Sequence, residues 1–345
     1  MKKIRVGING FGRIGRLAFR RMIEDGDFEV VAINNGSGTP ANLAYLLKYD
    51  TAHRIFKGHE ISFDDANLIF DGKKIPVFKT FDQKQIPWGK CGADVILECT
   101  GKFKGIKDSQ PHIESGAKAV IISAPADAET PTVVYGVNDD IITKDMNILS
   151  GASCTTNCLA PVMKVIEKEF GLEGGFMTTI HAYTNDQATL DVDKEKDFRR
   201  GRASAANIVP TSSGAAKALH LVLPSVKGKM AGGAIRVPVI DGSLVDLSLT
   251  LKRKVTKDEI NAAMKKASQT YLKGVLDYTE DQIVSTDIMG NTAGGIFDAT
   301  QTVVMDTPDG KQYVKVVAWY DNEYSYTCQY VRTAKKVAHV LGLDK

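Results

Sequence analysis

Ile4-Arg5-Val6-Gly7-Ile8-Asn9-Gly10-Phe11-Gly12-Arg13-Ile14-Gly15 stands at the start of this chain and decides its fold class. Ile4 to Ile8 reads as a strand and Arg13 to Glu24 as a helix, with the spacing G-x-G-x-x-G between them. That spacing alone is a weak signal, shared with plain Gly-rich turns. Here it follows a strand, opens a helix and precedes a second strand, Phe28 to Asn34, which makes a βαβ unit. In that setting Gly10 allows the tight turn and Gly12 lets backbone approach a pyrophosphate. Gly15 lets helix and sheet pack closely, and the phosphates rest on the helix N-terminus.

Further along, Asp94 to Cys99 and Lys118 to Ser123 are short apolar runs suited to a buried parallel sheet. Asp108 to Ser115 between them reads as a helix stopped by Gly116. The alternation predicts an α/β fold: a doubly wound Rossmann domain with a mainly parallel sheet. After Cys154 the texture changes to longer β-like runs: Phe176 to Ala182, Ala234 to Ile240, Leu244 to Leu251, Thr302 to Asp306 and Tyr313 to Tyr320. Thr256-Lys-Asp-Glu259 is a capping box opening a helix among them. This predicts a second, α+β domain with a mixed sheet. Asn322 to Leu341 reads as one helix that packs back on the first domain. The expected division is therefore 1–153 with 322–345 for dinucleotide binding, and 154–321 for catalysis.

The chain has 345 residues, enough for two cores, and 44 Lys and Arg against 41 Asp and Glu. That balance, with no basic run, argues against a dedicated nucleic-acid binder. Five cysteines without a disulfide-framework spacing point to a reducing, cytoplasmic setting. No apolar leader precedes Ile4, and no apolar run is long enough to span a bilayer.

Ser153-Cys154-Thr155-Thr156-Asn157-Cys158 lies between the strand-like Asn147 to Ser150 and a helix. A cysteine in a first helical turn feels the positive end of the macrodipole, which favours the nucleophilic thiolate. Such a nucleophile needs a base, and His181 ends a strong strand in Thr178-Thr-Ile-His-Ala-Tyr-Thr-Asn-Asp186. Simpler readings are an inert buried thiol and a structural histidine. Cys154, Cys158 and His181 could also ligate zinc, but no second ligand pair is present, and no metal site is predicted. Anion sites are indicated by the helix start at Ser213 and Gly214, and by Arg236, whose charge inside an apolar strand needs a partner. Arg199, Arg200 and Arg202 form a basic cluster or a solvated loop.

A dinucleotide site of this type carries an acidic residue about 20 positions after the glycines, on the ribose hydroxyls. Asn35 stands there instead. An aspartate would repel a 2′-phosphate and an asparagine can donate to one, so NAD is expected and NADP is admitted beside it.

Ile8-Asn-Gly-Phe-Gly-Arg-Ile-Gly-Arg16, Ser153 to Cys158, His181 to Asp186, Arg236-Val-Pro238 and Trp319-Tyr-Asp-Asn-Glu323 together resemble the phosphorylating glyceraldehyde-3-phosphate dehydrogenases, over essentially the whole chain. The resemblance implies glycolytic or gluconeogenic conversion of glyceraldehyde 3-phosphate and inorganic phosphate to 1,3-bisphosphoglycerate, through a thiohemiacetal and thioester on Cys154 with His181 as base. It places Thr184 and Arg236, the latter supported by Asp186, at the substrate phosphate. Ser153, Thr155, Ser213 and Gly214 fall at the attacking phosphate, and Arg200 in a flexible phosphate-contacting loop. Gly12, Arg13 and Ile14 match the pyrophosphate turn, Thr100 and Ser123 lie beneath the cofactor, and Asn322 matches the nicotinamide carboxamide site. A homotetramer is implied as well. Departures from the family pattern are Asn35 for aspartate, Phe81 for an arginine near the adenine, Asp193 for a proline and Gly151 for an asparagine. An erythrose-4-phosphate dehydrogenase and a non-catalytic dinucleotide-binding protein are the alternatives.

Overall fold

The computed structural model describes residues 2–345, which divide into two compact units. The first comprises Met1–Tyr135, Asp139–Ala152 and Tyr330–Lys345; the second comprises Gly136–Asn138 and Ser153–Gln329. Ser153 and residues 322–329, expected with the first unit, group with the second. Ser153 caps a helix of that unit, and Asn322 Oδ1 accepts from Gly242 N–H and Ser243 Oγ.

In the first unit the elements run β1 (Ile4–Asn9), α1 (Arg13–Asp25), β2 (Phe28–Asn34), α2 (Pro40–Lys48), β3 (Ile61–Phe63), β4 (Asn67–Phe70), β5 (Lys73–Phe78), α3 (Trp88–Cys91), β6 (Val95–Glu98), α4 (Ile106–Glu114), β7 (Ala119–Ile122) and β8 (Ile148–Ser150). They form one sheet in the order β3-β4-β5-β2-β1-β6-β7-β8. The six strands β5, β2, β1, β6, β7 and β8 are parallel neighbours, and β4 and β3 continue the sheet beyond β5 as an antiparallel edge. β6 and β7 are buried at every position, which is why they read as unbroken apolar runs. Strand order reverses between β1 and β6, so a crevice opens beyond their C-terminal ends.

The second unit contains α5 (Cys154–Glu169), β9 (Leu172–Ala182), β10 (Val209–Ser212), α6 (Ala215–Ala218), β11 (Met230–Val237), β12 (Ser243–Leu251), α7 (Lys257–Gln269), β13 (Leu276–Thr279), β14 (Gly295–Asp306) and β15 (Gln312–Tyr320). α8 (Tyr324–Val340) begins there and ends in the first unit, where Tyr330 Oη donates to Ile121 O at 2.5 Å. The sheet order β10-β11-β9-β12-β15-β14-β13 mixes parallel and antiparallel pairs. α5 and α7 cover one face. Period-two alternation along β9 sends Met177, Thr179 and His181 to that face, while Phe176 stands exposed on the other. α7 starts at the predicted capping box, Thr256 and Glu259 each bonding the other's backbone.

Candidate active site

Gly10 takes φ +93° at the end of β1, and a Cβ there would sit 2.7 Å from the backbone of Cys99 and Thr100. A Cβ on Gly15 would lie 2.1 Å from Gly10 O, so helix and turn touch only because both residues are glycine. Gly12, the N-cap of α1, faces open space with nothing within 4 Å of such a Cβ. Three glycines thus serve three needs, and the open one leaves room for phosphate at the helix start, where Ile14 occupies the first turn. Beside the turn lies a cavity of about 280 Å³ whose wall includes Gly12, Asn35, Ser37, Phe81, Thr100 and Lys102. These residues fit a dinucleotide: a pyrophosphate turn opens onto a groove wide enough for a ribose and base.

The side chains of Asn35 and Arg13 also make contacts within the protein. Asn35 Oδ1 accepts from Phe11 N–H at 2.9 Å and its Nδ2 donates to Ser37 O, so the amide braces the loop with one of its two N–H donors. Arg13 pairs with the buried Asp50, leaving its backbone, not its guanidinium, at the pyrophosphate turn. Ser123 sits at the end of β7 with its N–H on Glu98 O. Among the cavity-lining residues there is no carboxylate.

Sequence reasoning missed the polar cluster under this crevice. Glu98 Oε2 accepts from Asn9 Nδ2 at 2.5 Å and faces His112 Nε2 at 3.2 Å, while its Oε1 accepts from Thr100 N–H at 2.8 Å. Trp88 Nε1 donates to His112 Nδ1 at 2.9 Å, which leaves the ring proton on Nε2, toward Glu98. Asn34 Nδ2 donates to Asn9 Oδ1 at 2.7 Å. The ends of β1, β2 and β6 are therefore joined by side chains. The only signal in the sequence was polar residues at the ends of buried strands.

In the second unit Ser153 caps α5, its Oγ accepting from Thr156 N–H at 3.1 Å, so Cys154 is the first helical residue. Cys154 Sγ lies 3.5 Å from His181 Nε2. The cysteine and histidine meet because β9 turns His181 to the face that α5 covers. Burial pushes the Cys154 thiol up, opposed by the Arg236 charge and by hydrogen bonds from Thr155. The helix start and the Arg236 charge favour the thiolate, and desolvation opposes them. Burial first, then the Arg236 charge, holds His181 down at about 3, so its imidazole is neutral at physiological pH.

Arg236 is the register partner of His181 across the parallel β11–β9 pair, so both side chains share a face. Its Nη1 lies 2.8 Å from His181 Nδ1 and donates to Ala182 O at 2.9 Å and Thr184 Oγ1 at 3.3 Å. Thr184 donates to Asp186. Asp186 itself pairs with Arg200, not with Arg236 as expected, because the loop carrying Arg200 folds over it. Arg200 Nε also donates to Thr211 Oγ1 at 2.9 Å, whereas Arg202 is paired at the surface with Asp191. Of the clustered arginines, Arg200 joins the site.

Thr155 is turned inward, away from the anion position expected of it: its hydroxyl lies 2.9 Å from Tyr320 Oη, which also lies 2.8 Å from Thr179 Oγ1. Tyr320 thus ties α5 beside Cys154 to β9 beside His181, a role the sequence did not disclose. Ser213 Oγ accepts from Ala215 N–H at 3.3 Å, and Gly214 caps α6 with open space before it. Cys158 is buried, its thiol toward Ala318 O and Trp319 O.

Residues 153–322 match the family described as glyceraldehyde 3-phosphate dehydrogenase, C-terminal domain, and residues 4–106 match its NAD binding domain. A glyceraldehyde-3-phosphate dehydrogenase of Lactobacillus delbrueckii subsp. bulgaricus is 54% identical over 336 residues, covering 96% of this chain and 97% of that protein. The chain belongs to the glyceraldehyde 3-phosphate dehydrogenase family. Family members of the same name from Clostridium pasteurianum (51% identical, 97% of this chain, 99% of that protein) and glyceraldehyde-3-phosphate dehydrogenase 3 of Saccharomyces cerevisiae (46%, 97% and 99%) are similar over the same span. Among the described residues, no helix is long and apolar enough to cross a membrane.

Proposed function

We propose that this chain is a phosphorylating, NAD-dependent glyceraldehyde-3-phosphate dehydrogenase of glycolysis or gluconeogenesis. The observation that carries the reading is the Cys154–His181 contact of 3.5 Å at a capped helix start, with Arg236 beside it. Cys154 Sγ adds to the aldehyde carbon, and its proton passes through His181 Nε2 to the carbonyl oxygen, giving a thiohemiacetal. His181 Nε2 then takes the hydroxyl proton as the thioester forms on Cys154. Bound NAD supplies the acceptor for the hydride. An oxygen of inorganic phosphate attacks the thioester, Cys154 leaves as thiolate, and His181 returns the proton to it.

Arg236 and Thr184 hold the phosphate of the substrate, with Asp186 and Arg200 as their support. Ser153, Ser213 and Gly214 receive the attacking phosphate, while Thr155 steadies Cys154. The first unit binds the dinucleotide and the second carries the chemistry, Asn322 offering its free amide NH₂ to the carboxamide. NADP is accepted beside NAD because no carboxylate lines the cavity around Ser37 and Lys102 to repel a 2′-phosphate. A homotetramer is supported by the apolar residues exposed on the uncovered sheet face, Phe176, Val303, Met305 and Tyr313. All five cysteines are free, as a cytoplasmic thiol enzyme requires.

Initial rates test the whole reading, with glyceraldehyde 3-phosphate and erythrose 4-phosphate, with and without phosphate, and with NAD and NADP. Phosphate-dependent turnover of the triose is expected with both cofactors, and Cys154→Ser loses it by several orders of magnitude. Phosphate-independent turnover of erythrose 4-phosphate overturns the substrate assignment. Rates with NADP at background overturn the cofactor extension.

A further inference from the structure

We propose that Lys102 is the residue that receives a 2′-phosphate on the adenosine ribose, steered into place by the ring of Phe81. The inference rests on the reading of the first unit as the dinucleotide-binding one and of NADP as accepted beside NAD. It adds the group that makes this acceptance favourable. Phe81 is one of this chain's departures from the family pattern. It follows β5, while Gly36 follows β2 and Lys102 follows β6. In the sheet, β2 and β1 separate β5 from β6, a span of three strand spacings, or about 14 Å. Two long side chains close that span. The Phe81 ring lies on Gly36, where a Cβ would run into it, and Lys102 Nζ stands 4.9 Å from the ring centroid. All three residues line the same cavity.

Phe81 is 70% exposed, so no core packing accounts for its place. What holds the ring is the bare backbone of Gly36 on one side and the ammonium of Lys102 on the other. A cation over an exposed aromatic face is held weakly, so Lys102 is steered and not locked. Among the cavity-lining residues none is a carboxylate that could claim its charge. Gly36 is the chain neighbour of Asn35, which stands where this type of site reads the ribose hydroxyls. The contacts from Gly36 through Phe81 to Lys102 therefore bring an uncommitted cation to the ribose end of the cavity. Its flexible four-carbon stem lets it engage a phosphate there. NAD carries only a hydroxyl at that position and gains nothing from the charge. Lys102 thus acts on the choice between the two cofactors and not on the reaction itself.

The test is calorimetry on the full chain with NADP, NAD, 2′,5′-ADP, 3′,5′-ADP and 5′-AMP. Lys102 is exposed, so its replacement leaves the fold intact. Wild type should bind 2′,5′-ADP more tightly than 5′-AMP, and more tightly than 3′,5′-ADP, which carries the same charge on the neighbouring oxygen. Lys102→Met should lower the ratio of NADP to NAD affinity about 10-fold, the effect of one lost hydrogen bond between charged groups. Lys102→Arg should retain most of the ratio, because a guanidinium carries the charge and also stacks on an aromatic ring. Phe81→Leu should lower the ratio about 2- to 5-fold, since the ring that steers the ammonium is gone. Added salt should erode the ratio in wild type more than in Lys102→Met. An unchanged ratio in Lys102→Met overturns the assignment and leaves the acceptance of NADP standing. Equal loss of both cofactors also overturns it, because the charge then serves a phosphate that they share. A gain from 3′,5′-ADP as large as that from 2′,5′-ADP reduces Lys102 to general attraction and overturns the subsite. Wild type that binds NAD but neither NADP nor 2′,5′-ADP removes the cofactor extension itself.

Discussion

At the residue scale the first unit holds a charge that its dinucleotide turn depends on. Asp50 is buried beside Arg13, and its carboxylate also accepts from the N–H groups of Ala52 and His53 at 3.0 and 2.9 Å. Burial alone would raise its pKa, but the Arg13 hydrogen bond, the His53 N–H and the Arg13 charge together hold it at about 2. A carboxyl depressed on folding stabilises above its unfolded pKa and loses that contribution as pH falls through the folded value. The shift corresponds to about 2 kcal/mol, lost between roughly pH 4 and pH 2. Asp50→Asn should therefore lower the melting temperature at pH 7 and flatten its fall below pH 4. An acid limb identical to wild type would show that Asp50 carries no such term. At the same scale, Cys154 and His181 were legible as residue types with a chemical need for each other. The direction of their ionisation was not, because desolvation depends on what surrounds them.

At the scale of elements, the catalytic distance is set by how α5 lies on β9, and Tyr320 on β15 is the pin between them. Its hydroxyl bonds Thr155, next to Cys154, and Thr179, two residues before His181. Tyr320→Phe leaves both threonine hydroxyls short of a buried partner and should cost about 1–3 kcal/mol in denaturant unfolding. It should also lower kcat about 10-fold or more, with less effect on KM, because misplacement of the pair acts on the chemical step. An unchanged kcat alongside the lost stability would reduce Tyr320 to a structural tie. Some element boundaries followed the local signals, as at β2 (Phe28–Asn34) and at α7 after Thr256. Others did not: β9 starts at Leu172 where Phe176 was expected, β14 starts at Gly295 where Thr302 was expected, and β11 runs Met230–Val237 where Ala234 to Ile240 was expected. The cross-strand pairing of Arg236 with His181 had no local signal, since it joins strands 55 positions apart in sequence.

At the scale of the whole molecule, the uncovered face of the second sheet is the surface with the clearest demand for a partner. Phe176 aligns through Ser248 and Lys315 with Val303 across four strands, and Met305 lies opposite Tyr313. Phe176 is 69% exposed and Met305 53%, an exposed apolar group of the kind that marks interaction surfaces. A second copy presenting the same face would cover it. The double variant Phe176→Glu, Met305→Glu should shift the particle measured by light scattering to a smaller species while leaving far-UV circular dichroism unchanged. An unaltered mass would place the subunit contacts elsewhere. What the sequence determined by itself was whatever is local or periodic: the glycine turn, the alternation of strands and helices, the helix caps, and the nucleophile at a helix start. Tertiary structure alone decided that Asp186 serves Arg200, that Asn35 braces its loop, that Thr155 points inward, and that Arg236 stands against the base. Those outcomes depend on register and burial, and both are properties of strands that meet only after the chain has folded.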